Sequence, residues 1–217
     1  MLLRGMRVED GQFKLDGYPE GSSVRGLSMP QAPELCRLML FRSDLTRVIE
    51  WLSMARELNT EEPLQEAFCS AALVKFCCCF DGTAGLRSMP LRRKNIFRGE
   101  DRQSFERLLL IRNKAVAHDE HLYPGEFPLI VLDERAKALE AVVLQLRAPF
   151  SAMQEVEELR RLAKVALDWV MAEYEAIAKE VVDTINSLPE EQRLLMRDST
   201  PDVKIQFGEA EDRFVKK

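Results

Sequence analysis

Histidine is scarce in this chain of 217 residues: there are two, His118 and His121, and they stand three positions apart. Whatever imidazole chemistry the protein has is therefore confined to one stretch. Long apolar runs are missing as well. None approaches the roughly 20 residues needed to cross a bilayer, so a membrane partner is not expected. The opening MLLRGMRVEDGQF holds no apolar stretch of signal-peptide length, and the expected location is the cytoplasm. The cysteines Cys36, Cys69, Cys77, Cys78 and Cys79 are odd in number, and three are adjacent. That pattern excludes a disulfide framework. It also lacks the spacer that lets two thiolates reach one zinc, so the cysteines read as small apolar helix residues in a reducing compartment. There is no glycine-rich phosphate loop and no strand–helix alternation, which excludes a doubly wound nucleotide-binding sheet. An excess of positive charge is lacking too. The net charge is −5 and the pI is near 5.3, which argues against a chain coated in nucleic acid.

What is present is mostly helical pattern. Residues 1–31 are rich in Gly, Pro and Ser and read as an irregular arm, with a short hairpin around Asp10–Gly11. From Pro33, the residues Leu38, Phe41, Leu45, Val48, Leu52 and Ala55 recur at three- and four-residue steps, which marks one face of a helix running to about Leu58. Asn59 or Thr60 can cap a second helix, with Leu64, Phe68, Ala71, Val74 and Cys78 as its stripe. DGTAG at 81–85 ends it, and a basic loop leads to about Gly99. A third helix is expected over about 100–118, an extended run at PLIVLD (128–133), a fourth helix over about 134–147 and a long fifth over about 151–187. In the fifth, Val156, Leu159, Ala163, Ala166, Val170 and Ile177 keep near-heptad steps that can face the core or a partner subunit. The expected fold class is all-α: an up-and-down bundle of about five helices over 32–188, after the arm at 1–31 and before a charged tail at 189–217.

Two clusters carry chemistry. LRRKNIFR (91–98) places four cations, Arg92, Arg93, Lys94 and Arg98, in seven residues. They are either a solvated loop or a phosphate-holding patch. LLLIRNKAVAHDEH (108–121) sets Arg112, Asn113 and Lys114 just before both histidines. Histidine can give and take a proton near neutral pH, and arginine offers a planar fork of donors that fits a phosphate. RNA cleavage needs both functions: one group to move a hydroxyl proton and one to stabilise charge on the phosphoryl oxygens. On a straight helix, Arg112 and His118 would point about 120° apart and lie roughly 9 Å apart along the axis. Two remedies exist, an end to the helix near Ala117 and a twofold dimer that brings two copies of the pair together, and both are expected to act together.

Arg112-Asn113, four residues and then His118 match the R-N-x4-H motif of HEPN-domain proteins, and RNKAVAHDE resembles the abortive-infection type from bacteria. The resemblance spans about residues 33–187. It implies a homodimer with a composite cleft, metal-independent endoribonuclease activity and no cofactor. It also implies a role as a toxin or in antiphage defence, in some members with a nucleotidyltransferase-type antitoxin. Arg112 and His118 would be catalytic with Asn113 in support, and Arg92, Arg93, Lys94, Arg98 and Lys114 would bind the RNA.

Competing readings attach to the same residues. Arg112 can pair with Glu106 or another surface acid, and His118 can simply face the negative end of its helix. HDEH suggests a metal, but its histidines are three apart rather than four and no third ligand is evident. No metal is therefore expected. The rival from another class is a non-catalytic helical dimer, acting as a protein-interaction or nucleotide-binding module. It predicts Arg112 tied up in a salt bridge.

Overall fold

The computed structural model describes residues 6–9, 12–20, 22–58, 62–81, 89–113, 126–132, 134, 138–145, 150 and 154–196. Two compact units divide the chain, 33–178 and a second made of 1–32 with 179–217. Two strands, β1 (Met6–Glu9) and β2 (Gln12–Leu15), pair antiparallel with Glu9 opposite Gln12. This antiparallel pairing agrees with the expected short hairpin in the arm, whose residues 10 and 11 lie outside the described residues. Beside them in the same unit, Arg25 donates to the Met196 carbonyl at 3.4 Å, and Gln31 to the Glu180 carboxylate at 3.2 Å.

In the larger unit, α1 (Ala32–Glu57), α2 (Glu62–Cys78), α4 (Gly99–Ile111) and α5 (Glu155–Ser187) contribute to one hydrophobic core. The α1 stripe is buried at each position its spacing picks out. The near-heptad seam of α5 turns the same way: Leu159, Ala163, Ala166 and Val170 are fully buried, and Val156 and Ile177 pack against the core from its margin. In this chain the seam closes the core.

α2 departs from expectation. Its inward face is Cys69, Ala72, Leu73, Phe76 and Cys77, whereas Leu64 and Val74 are exposed. The helix is apolar over most of its circumference, so two stripes fit its spacing. Phe76 decides between them, because its ring packs with Phe80, Phe97 and Phe105 at centroid separations of 5.2–6.3 Å. Burying so large a ring outweighs burying Leu64 or Val74.

Further corrections concern elements. The basic stretch is not all loop: α3 (Arg93–Ile96) is one short turn of helix, pinned to the end of α2 by the Leu91 N–H donating to the Cys79 carbonyl at 2.9 Å. The regular α-helical part of α4 gives way at Ile111 to a wider turn at Arg112–Asn113, and residues 114–118 of the expected helix lie outside the described residues. Gly99 opens α4 at φ +52°, a conformation glycine adopts without the clash a Cβ would bring. The expected helix over 134–147 is instead strand β4 (Ala138–Gln145), antiparallel to β3 (Glu126–Leu132), with Leu129 opposite Val142 and Ile130 opposite Ala141. The reason is local and tertiary together. β-branched Val142 and Val143 are poor helix formers, and the β-prone run just upstream supplies a ladder for them. Among the described residues the chain is thus mostly helical, with two small antiparallel strand pairs. Among the described residues, no helix is long and apolar enough to cross a membrane. α6 (Glu190–Leu194) is a single turn in the tail.

Candidate functional site

The end of α4 carries the first part of the motif. Ile111 is the last buried residue of that helix, and the Arg112 N–H donates to both the Leu108 and Leu109 carbonyls. The backbone then widens into a π-type turn at Arg112–Asn113, a local distortion that recurs at functional sites. The turn leaves Asn113 exposed and carries the Arg112 side chain inward, to about one fifth exposure.

Arg112 meets the end of α2 there. Its Nη2 donates to the Asp81 carboxylate in an ion pair, and the guanidinium lies beside the Cys77 sulfur. Its Nε is buried with no hydrogen-bond partner. Burial works against the charge of Arg112. The Cys77 thiol and the Asp81 carboxylate more than offset that and hold its pKa above the ordinary arginine value. The same burial pushes the Cys77 thiol up to about 12, against the pull of the Arg112 charge. Cys77 is therefore a neutral thiol at physiological pH, and among the described residues Asp81 supplies the countercharge.

Asp81 also lines a groove of about 630 Å³. The groove has an apolar floor, from Phe80, Leu91, Phe105 and Leu109, and a polar rim from Arg92, Arg93, Lys94 and Asn95. The floor is firm. Phe80 and Phe105 pack edge to face at 4.8 Å, and Phe97 stacks on Phe105 at 5.3 Å. Some cations on the surface of this unit have acidic partners: Arg107 with Glu158 at 3.1 Å, Arg102 with Glu106 at 3.1 Å, and Arg161 with Asp101. Arg92, Arg93, Lys94 and Arg98 have no ion-pair partner among the described residues and stand exposed. Unpaired cations around a concave surface can hold phosphates.

The expected site residues sort accordingly. Arg112 does not itself line the groove that Arg92, Arg93 and Lys94 rim, but pairs with Asp81, which does. Arg98 stands at the N-terminal end of α4 and does not line the groove. Lys114, His118 and His121 lie outside the described residues, and with them the HDEH stretch. Arg112 does have the acidic partner that a purely structural role requires, but that partner is Asp81, not Glu106, which pairs with Arg102. Sequence reasoning missed Asp81, Cys77 and Phe80. Asp81 begins the DGTAG turn, so it reads as a helix-ending residue, and nothing local links it to a residue 31 positions later.

The fold and this site define a mostly helical chain whose conspicuous surface feature is a basic groove with a clamped arginine beside it. Compared with protein-family models, curated proteins and solved structures, the chain matches none.

Proposed function

We propose that the protein is a metal-independent endoribonuclease of HEPN type, acting as a homodimer in a toxin or antiphage-defence role. The observation that carries this reading is the shared position of Asp81, which joins Arg112 of the R-N-x4-H motif to the groove rimmed by Arg92, Arg93 and Lys94. Arg112 of one cluster thereby neighbours Arg92, Arg93 and Lys94 of the other through Asp81, which supports the reading. The 2′-hydroxyl oxygen attacks the adjacent phosphorus, and the bond from phosphorus to the 5′-oxygen breaks. The products are a 2′,3′-cyclic phosphate and a 5′-hydroxyl end. One proton leaves the 2′-oxygen and one reaches the 5′-oxygen, so the reaction needs no cofactor. His118 is the residue that transfers protons, Arg112 stabilises charge on the phosphoryl oxygens, and Asn113 and Lys114 assist in holding the strand. RNA held this way is released steeply by salt, because each neutralised phosphate frees counterions.

A second copy is part of the proposal. Leu129 and Val131 on one face of the β3–β4 pair, and Ile130 and Leu139 on the other, are 42–62% exposed, apolar surface that a second copy can cover. A nucleotidyltransferase-type antitoxin is the corresponding expectation for a regulator.

The test is cleavage of labelled tRNA and mRNA in EDTA by the wild type beside His118→Ala and Arg112→Ala. Cleavage by the wild type alone, leaving cyclic phosphate ends, is the expected outcome. The Arg112–Asp81 ion pair favours a second reading, a non-catalytic interaction or nucleotide-binding module in which Arg112 is purely structural. Intact RNA with all three proteins, each folded, would select that reading.

A further inference from the structure

The ion pair at the end of α2 can be more than a surface bond, because of what surrounds it. Arg112 has three polar neighbourhoods. Its Nη2 is on Asp81, its guanidinium edge is on Cys77, and its Nε is buried without a partner. A guanidinium confined on these sides has a restricted set of orientations, and the charged group that confines it among the described residues is Asp81. Asp81 in turn is about half exposed and lines the basic groove, so the pair is open to whatever occupies that groove.

Resting on the reading of this groove as an RNA-phosphate site, we propose that Asp81 is the positioning residue for Arg112. It holds the guanidinium beside the groove rimmed by Arg92, Arg93 and Lys94, so that its remaining N–H groups meet a phosphate there. Asp81 touches no reacting atom. It acts by removing the rotational freedom of a long side chain before the anion arrives, at the cost of placing one negative charge beside the groove.

Charge and position make opposite statements about the variants. If Asp81 mattered only as a charge, Asp81→Asn would tighten anion binding, and Arg112→Ala would weaken binding equally in either background, since it removes the same single charge. If Asp81 positions Arg112, the two substitutions are coupled: Arg112 contributes only when Asp81 is there to hold it. Asp81→Glu, which keeps the carboxylate, retains most of the Arg112 contribution.

The experiment measures binding of a fluorescein-labelled oligouridylate, 2′-O-methylated so that it cannot be cleaved, in EDTA at fixed salt. Arg112→Ala is compared with the wild type, with Asp81→Asn and with Asp81→Glu as backgrounds, each variant being checked for an unchanged thermal unfolding curve. In the wild type, Arg112→Ala is expected to raise Kd about tenfold, the worth of one good charge-assisted phosphate contact. In the Asp81→Asn background the same substitution is expected to raise it less than about threefold, and with Asp81→Glu the larger effect returns. Equal effects in the wild type and Asp81→Asn overturn the assignment while leaving the groove as an RNA site. No binding by the wild type overturns the RNA reading of the groove, and the assignment with it.

Discussion

Around Arg112, burial sets the chemistry of each side chain more than residue type does. Five cysteines share one polypeptide, but their surroundings separate them. Cys36 is exposed on α1, while Cys69 and Cys77 are buried in the core. Burial pushes the Cys69 thiol up to about 11 and the Cys77 thiol up to about 12, from 9.0. Thiolate population falls about tenfold for each such unit. At pH 8, iodoacetamide is therefore expected to modify Cys69 at least about a hundredfold more slowly in the folded protein than in denaturant, and Cys77 more slowly still, while exposed Cys36 is open to reagent. In denaturant all of these reach similar rates, and peptide mass spectrometry over time reads the difference. The linkage has a definite sign. Both thiols hold their protons more tightly folded than unfolded, so their contribution to stability is complete below pH 9 and is lost as pH rises toward 11–12.

At the scale of elements, the β3–β4 hairpin is the piece whose surroundings are incomplete. A two-stranded hairpin is marginal in water by itself, and Leu129, Ile130, Val131 and Leu139 leave apolar surface open on it. Pro128 suits β3 to an edge position, since proline cannot extend a ladder on its nitrogen side. β4 carries no proline and has the better edge for a partner strand. If the hairpin meets a second copy, Ile130→Lys or Leu139→Lys removes about 1.5–3 kcal/mol of apolar burial per copy. Sedimentation is then expected to show the dimer dissociating at tenfold or more higher protein concentration. Unchanged sedimentation would place the dimer contact, if there is one, on another face. Because these substitutions lie on exposed positions, the unfolding curve of the subunit should not shift.

The larger unit is held together as a whole by aromatic and aliphatic side chains drawn from α1, α2, α4, α5 and the α3 segment. Phe76 is the centre of one part of it, in contact with Phe80, Phe97 and Phe105, which come from three stretches of chain. Phe76→Ala is expected to cost about 3–5 kcal/mol, measured by chemical denaturation. It should also loosen the groove above, because Phe80 and Phe105 form its floor. A cost under about 1 kcal/mol would mean that the rings repack around the gap. The Asp44–Lys75 ion pair at 2.7 Å ties α1 to α2 beside this core, with both side chains mostly buried.

The sequence by itself determined where the long helices lie and which faces of α1 and α5 turn inward. Leu38 through Ala55 and Leu159 through Val170 repeat with a period that permits one apolar stripe, so one face is buried. It also determined that the cations cluster at 92–98 and that Arg112 and Asn113 precede the histidines. Tertiary structure decided what local pattern leaves degenerate. α2 has two usable apolar stripes, and only the demand of Phe76 for a partner ring chooses one. Residues 138–145 can be helix or strand, and pairing with 126–132 settles it. Arg112 can pair with any nearby acid. Which one it finds depends on the end of α2 being brought beside the end of α4, because a long-range ion pair is set by packing, for which a single chain carries no periodic signal.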